Sequence, residues 1–145
     1  MTCGYLVMAF KPRNQQQLIA LAVAMAEAQI ALFIRPEAAI RFGLIMALFI
    51  AAGIPPPLLL SGFRTLVQQA NLRNVIGADG LRLNPARRSW HTEGLAFDLD
   101  QSSPAINLFA ALWRLLGGRV GADFASPDPG HFDFPIQGRE PSPAF

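Results

Sequence analysis

The sequence is poor in three kinds of residue, and each shortage limits what the protein can be. A single cysteine, Cys3, excludes an intramolecular disulfide and a metal site built from several thiolates. Charged residues form only 15% of the chain, the net charge is +2, and no basic stripe carries interleaved aromatics, so nucleic acid is not expected as a partner. Histidine occurs only at His91 and His131, which confines imidazole chemistry to two positions.

Apolar residues are abundant, at 52% of the 145 positions, which suits a domain with a hydrophobic core. We expect an N-terminal segment at 1–14, a folded domain at 15–135 and a loose, proline-rich tail at 136–145. There is no internal repeat and no linker long enough to separate two domains. The sequence therefore predicts one small domain, and we expect a monomer.

The N-terminal third raises the question of a membrane. Residues 18–34 are apolar except for Glu27 and Gln29, and basic residues precede them, as in a signal sequence or an anchor. Glutamines at 15–17 and the charge of Glu27 interrupt that pattern, and a second apolar run at 42–54 is shorter than the roughly 20 residues of a spanning helix. We therefore expect two buried core helices and no cleavable signal. Membrane attachment through these helices is the alternative.

Local start and stop signals predict the secondary structure. The expected helices lie at 15–33, 36–52, 65–74 and 103–116. The expected strands lie at 58–60, where the run is apolar and should be buried, and at 95–99 and 131–134. Pro36 and Gly53 bound the second helix, and Ser103 followed by proline is typical of a helix start. The order of elements favours an α+β fold in which N-terminal helices pack on a central antiparallel sheet.

Two of the expected strands carry potential metal ligands. Alternation along residues 95–99 turns the large apolar side chains to the core and Asp98 to the opposite face. His91 precedes this strand by one turn, and His131 begins the last strand with its aromatic neighbours on the other face. Two imidazoles and one carboxylate, with open coordination positions, suit a catalytic zinc ion.

Asp128 and Arg64 are candidates for chemistry beside such a metal. Asp128 lies one tight turn before His131, so its carboxylate can take a proton from water and deliver it to a leaving amine. Arg64 follows a strand and can stabilise an oxyanion or hold a substrate carboxylate. A plainer interpretation stays open, since most histidines beside acids are hydrogen-bonded pairs and most turn arginines are surface residues. The other nearby acids are interpreted as solvated or supporting: Glu93, Asp100, Asp123 and Asp133.

Three short motifs follow one another in the second half of the chain. The first is Ser61-Gly62-Phe63-Arg64, followed by Gln68. The others are Ser89-x-His91-x-x-Gly94-x-Ala96-x-Asp98 and Asp128-x-x-His131-Phe132. Together they resemble the signature of the LAS-type zinc peptidases, which include D-alanyl-D-alanine carboxypeptidases and dipeptidases and phage L-alanyl-D-glutamate endopeptidases. The resemblance covers about residues 53–134, and its last loop is most similar to the phage endolysin branch.

The resemblance implies a zinc-dependent peptidase that hydrolyses an amide bond of the peptidoglycan stem peptide, as an L-alanyl-D-glutamate endopeptidase-like endolysin. It implies that Zn²⁺ has three protein ligands: His91, Asp98 and His131. It also implies that Asp128 is the general base and acid and that Arg64 polarises the scissile carbonyl or its oxyanion. Ser89 and Gln68 would support the ligands.

Two other functions stay open. The alternatives are a D-alanyl-D-alanine carboxypeptidase or dipeptidase of cell-wall metabolism, and a non-catalytic zinc-stabilised wall-binding module. Without a convincing signal, we expect synthesis in the cytoplasm and action on the wall after release.

The sequence departs from the family pattern at two places. Val120-Gly121 stands where the family often has tryptophan and glycine, so one wall of the substrate groove should differ. Asp133 stands where a longer acid or an amide is common.

Overall fold

The computed structural model describes residues 33–145, so the segment expected at 1–14 and nearly all of the helix expected at 15–33 lie outside the described part. Helix α1, Pro36–Ala52, begins at the expected proline and ends at Gly53, whose φ of 67° gives a left-handed cap. Its buried side chains include Phe42 and Phe49, so this helix packs in the core, as predicted. Within residues 33–145, no helix is both long and apolar enough to cross a bilayer.

Two more α-helices and four strands complete the described domain. The helices are α2, Leu66–Asn71, which continues as a 3-10 turn at Leu72–Asn74, and α3, Ile106–Leu115. The strands are β1, Leu59–Ser61; β2, Ala96–Leu99; β3, Arg119–Val120; and β4, His131–Asp133. Their order is β1-β2-β4-β3, and all neighbours are antiparallel, which confirms the predicted α+β class and antiparallel sheet.

An aromatic cluster fixes helices α1 and α3 against one face of the sheet. Phe97 of β2 stacks on Phe132 of β4 with ring centroids 5.6 Å apart. Phe42 of α1 and Trp113 of α3 each meet Phe97 edge-on at 5.0 Å. Such pairs contribute about 0.5–1.5 kcal/mol each beyond the area they bury. Because the apolar side chains all lie on this face, the opposite face of β2 and β4 is left for polar residues.

Strand β1 differs from the buried strand expected here. It lies at the edge of the sheet, and Leu60 is 61% exposed. The register pairs Leu59 with Leu99 but Ser61 with Asp98, so Leu60 is one extra residue in β1 and forms a bulge. The bulge turns Leu59 toward the core and Ser61 toward the polar face beside Asp98.

Helix α3 starts later than the sequence predicts. Ser103 does not cap it; the serine hydroxyl accepts from the Ala105 N–H at 3.2 Å, and its carbonyl accepts from the Ile106 N–H at 3.1 Å. The serine and the following proline therefore form a turn that leads into the helix. The helical spacing itself is confirmed, since Phe109 and Trp113 are fully buried.

The C-terminal tail is attached to the domain, and the expectation of a loose tail is wrong for its last residues. The Ala144 N–H donates to the Arg87 carbonyl at 2.8 Å, and Arg88 pairs with Pro143 in an isolated antiparallel bridge. The Arg88 side chain donates from Nη1 to the Pro141 carbonyl at 2.6 Å. These bonds hold the tail against the segment that leads to His91.

Candidate metal centre

Three donor atoms converge on the polar face of the sheet. Asp98 Oδ1 lies 3.2 Å from His91 Nε2 and 3.2 Å from His131 Nδ1, and the two ring nitrogens are 3.3 Å apart. The pairing of β2 with β4 puts Asp98 opposite His131, and a 3-10 turn at Trp90–Glu93 delivers His91. The structure thus brings the three predicted ligands together in a group that can hold a metal ion.

The outer hydrogen bonds of the two histidines decide which ring nitrogens face this centre. His91 Nδ1 lies 2.7 Å from the Gly62 carbonyl, which can only accept, so Nδ1 carries the proton and Nε2 has a lone pair. His131 Nε2 lies 3.2 Å from the Asp133 carboxylate and donates to it, which leaves Nδ1 as the inward atom. Two inward nitrogens and the Asp98 oxygen would repel one another without a cation among them. That cation is either a metal ion or a proton on His131.

The charges around the centre favour a cation. Burial raises the pKa of Asp98, but the interactions of its carboxylate with His131, His91 and Ser61 outweigh burial and hold this pKa well below its usual range. Burial lowers the pKa of His131, but hydrogen bonds to Asp133 and Asp98 and their negative charges raise it to about 9. In the metal-free protein a proton on His131 therefore occupies the place where a metal ion would bind.

Arg64 and Ser61 hold the second oxygen of Asp98. Arg64 Nη2 donates to Asp98 Oδ2 at 2.5 Å and to the Ser61 hydroxyl oxygen at 2.8 Å. The Ser61 hydroxyl donates to the same carboxylate oxygen. With Oδ2 engaged in this way, only Oδ1 faces the histidines. The direct contact of Arg64 is therefore with Asp98, a candidate metal ligand. Ser61, which had no expected role, orients the same carboxylate from its place in the bulge of β1.

The two expected supporting residues have different positions. The Ser89 hydroxyl accepts from the His91 N–H at 3.3 Å and begins the turn that carries this histidine. Gln68 is exposed and points away from the ligands, since its side chain accepts from the Thr65 N–H at 2.8 Å in the capping box of α2. Its neighbour Gln69 is buried and accepts from Arg64 Nη1 at 3.4 Å. The support expected from Gln68 thus comes from Gln69, on the inner face of the same helix.

Asp133 and Arg119 form a second support, behind His131. Asp133 is only 1% exposed, so it is a supporting residue and not a solvated one. Arg119 donates to both of its oxygens, from Nε at 2.8 Å and from Nη2 at 2.7 Å. Burial raises the pKa of Asp133, but the hydrogen bonds from His131 and Arg119 keep it low, so the carboxylate stays charged. Arg119 lies on β3, a strand that the sequence did not predict, and the register of this strand sets the arginine opposite Asp133.

Asp128 lies in the same cleft as the ligands. The cleft has a volume of about 660 Å³, and Asp128, His91, Asp98 and His131 all line it. The Asp128 carbonyl accepts from the His131 N–H at 3.0 Å, and its N–H donates to the Gly121 carbonyl at 2.9 Å. A Cβ at Gly121 would lie 2.1 Å from the Asp128 carbonyl oxygen, so the loop can close against this point only because residue 121 is glycine.

No protein-family model matches the chain, and no curated protein matches it closely enough to indicate kinship. The chemistry that this site can perform therefore follows from three features of its structure. These are two inward imidazole nitrogens, one carboxylate oxygen with a fixed orientation, and an exposed carboxylate at Asp128 in the same cleft.

Proposed function

We propose that the protein is a zinc-dependent peptidase that hydrolyses an amide bond of the peptidoglycan stem peptide. The strongest support is the convergence of His91, Asp98 and His131 in a cleft that Asp128 also lines. The order and spacing of the motifs, which resemble those of the LAS-type zinc peptidases, supply the substrate class. An L-alanyl-D-glutamate endopeptidase of the endolysin kind is the form that the resemblance favours.

The size and chemistry of the donor triangle fit zinc. In a tetrahedral site with metal–ligand distances near 2.0 Å, two ligand atoms lie about 3.3 Å apart. The three edges measured here, 3.2, 3.2 and 3.3 Å, therefore match one face of such a tetrahedron. Two imidazole nitrogens disfavour Ca²⁺ and Mg²⁺, which bind mainly oxygen. Three protein ligands with an open fourth position are the pattern of catalytic zinc sites.

The residues of the cleft divide the work of hydrolysis. His91, Asp98 and His131 would hold a Zn²⁺ ion, which as a Lewis acid would make water nucleophilic near neutral pH. Asp128 accepts a proton from the attacking water and returns it to the nitrogen of the leaving amine. Arg64, whose side chain is 22% exposed, fixes Asp98 and offers its remaining N–H groups to the carbonyl oxygen as negative charge develops there.

Zinc content and wall lysis test this proposal together. We expect one zinc ion per chain, loss of lytic activity on dialysis against a chelator, and its return with Zn²⁺. Asp128→Asn should retain zinc and lose at least about 100-fold in turnover, because the proton carrier is gone. Asp79→Asn, which changes an exposed aspartate outside the cleft, is the matched control and should keep full activity. A fully active Asp128→Asn protein would contradict the role of this carboxylate.

Mass spectrometry of digested muropeptides identifies the bond. A cut beside L-alanine supports the endopeptidase, and loss of a terminal D-alanine supports the carboxypeptidase or dipeptidase alternative. A protein that binds zinc and wall but yields no product would contradict both and indicate a non-catalytic binding module.

A further inference from the structure

The charges that line the cleft indicate an anionic substrate. Three arginines and three aspartates line it: Arg64, Arg88, Arg119, Asp98, Asp128 and Asp133. The charges of these six side chains cancel one another. A divalent cation at the donor triangle gives the cleft a net positive charge, which attracts an anion and repels a cationic peptide.

The three arginines differ in how fully their charge is neutralised. Arg64 donates to Asp98 at 2.5 Å, and Arg119 forms a two-pronged pair with Asp133. For Arg88, the nearest carboxylate within residues 33–145 is Glu140, with Nε and Oε2 3.8 Å apart and the Glu140 side chain 79% exposed. That distance exceeds a hydrogen bond, and an exposed pair of this kind contributes little. Arg88 is thus the cleft arginine whose charge is least compensated.

The guanidinium of Arg88 is nevertheless held in position. Nη1 donates to the Pro141 carbonyl at 2.6 Å, and the backbone of Arg88 pairs with Pro143. A carbonyl is neutral, so this contact orients the side chain without cancelling its charge. Arg88 also precedes Ser89 directly, at the start of the segment that carries His91. A guanidinium that is held in position in a cleft and only weakly compensated is suited to bind a carboxylate with two parallel hydrogen bonds.

We propose that Arg88 determines specificity by binding a carboxylate of the substrate near the scissile amide. This inference rests on the proposed peptidase function and names a chemical requirement that the function alone does not contain. Two carboxylates of a stem peptide have the required chemistry: the α-carboxylate of its D-glutamate and the carboxylate of its C terminus. Arg88 takes no part in the bond-breaking step, so its effect belongs to binding.

Four synthetic stem peptides of one sequence separate these possibilities. One has both carboxylates free, two have one or the other as a carboxamide, and the fourth has both as carboxamides. KM and kcat are measured with the zinc-loaded wild-type and Arg88→Gln proteins. Dissociation constants are measured by calorimetry in the Asp128→Asn background, so that binding is observed without turnover.

We expect Arg88→Gln to raise KM and the dissociation constant roughly 10- to 100-fold for peptides with the recognised carboxylate, as for a hydrogen-bonded charged pair. The peptide with both groups amidated should bind both proteins equally, and kcat should change by less than about twofold because uniform binding is lost. The amidation that removes the difference identifies which carboxylate is bound. Equal weakening of all four peptides, or of none, would overturn the proposal.

The calorimetric readout keeps this inference separate from the proposed function. If the wild-type protein cleaves no peptide, the proposed function fails. The dissociation constants then still decide on Arg88: a loss confined to peptides with the free carboxylate supports it, and no such loss overturns it.

Two further variants guard against a purely structural effect. Arg87→Gln changes the exposed neighbour, which does not line the cleft, and should leave the selectivity unchanged. A shift in selectivity equal to that of Arg88→Gln would overturn the assignment. Arg88→Lys keeps the charge without the planar fork, so it should lose about tenfold in affinity yet still prefer the free carboxylate. It serves as the test if Arg88→Gln does not fold, and loss of that preference would count against the proposal.

Discussion

The two histidines reach the same point with different kinds of support. His91 is held by the backbone, through the Gly62 carbonyl and the turn that Ser89 begins. His131 is held by a charged pair, because Asp133 accepts from its ring and Arg119 donates to both oxygens of that carboxylate. A carbonyl fixes the orientation of the ring and adds no net charge, whereas a buried carboxylate fixes the orientation and also adds a negative charge. The support of His91 therefore sets the geometry of the site, and the support of His131 also sets its charge.

The largest expected effect follows from removing the negative charge of Asp133, which supports His131. Asp133→Asn should lower the affinity for zinc about 10- to 100-fold, since the carboxylate that orients His131 and raises its basicity is lost. Competition with a chromophoric chelator measures this affinity. Arg119→Gln leaves the carboxylate in place and should have a smaller effect. Unchanged affinity in Asp133→Asn would mean that the two histidines do not differ in the way described.

The pH dependence of zinc binding should depend on His131 and its support by Asp133. The pKa of His131 is raised from 6.5 to about 9, so its charged form stabilises the metal-free protein fully below pH 6.5. That stabilisation is lost as the pH rises through about 9. Zinc must displace this proton, so its affinity should rise about tenfold per pH unit up to about pH 9 and then level off.

Chelator competition between pH 7 and 9 measures the slope in the wild-type protein. In Asp133→Asn the rise should level off at a lower pH, because a source of the raised pKa of His131 is gone. The same slope in both proteins would contradict this account.

The smallest expected effect concerns Gln68, which supports neither histidine. Gln68→Ala should cost about 1 kcal/mol of unfolding free energy, because the capping box of α2 is lost, and should leave zinc affinity unchanged. Chemical denaturation and metal titration of one preparation measure both quantities. Gln69→Ala, one position along, should instead disturb Arg64 and with it the orientation of Asp98. The two variants behaving alike would mean that the faces of α2 are wrongly assigned.

Features with a local chemical signal could be predicted from the sequence. Pro36 and Gly53 fixed both ends of α1, because a proline in the first turn and a glycine cap act through the neighbouring backbone. Alternation in β2 separated the buried Phe97 from Asp98, and the same period of two set His131 and Asp133 on one face of β4. These local rules made Asp98 and His131 candidate ligands, and the resemblance to the LAS-type peptidases implied the full set with His91.

Features that depend on pairing between distant segments could not be predicted in this way. Strand β3 has two residues, too few for a periodic signal, so Arg119 was missed. The bulge in β1 depends on the register with β2, and neither of the two segments reveals that register alone. The tail was expected to be loose because it is rich in proline, but its pairing with Arg88 is a long-range contact. The supporting role of Gln69 was missed for a similar reason, since only the packed structure shows which face of α2 is buried.

The bulge at Leu60 also affects how readily copies of the protein associate through the edge of the sheet. Within residues 33–145, β1 is an edge strand of the sheet, and Leu60 on it and Leu58 just before it are 61% and 66% exposed. A straight apolar edge of that kind invites another strand to pair with it and start aggregation. The extra residue interrupts the regular spacing of N–H and carbonyl groups along β1, which disfavours in-register pairing with a second copy. The irregularity that turns Ser61 toward Asp98 thus also makes this edge a poorer template for aggregation.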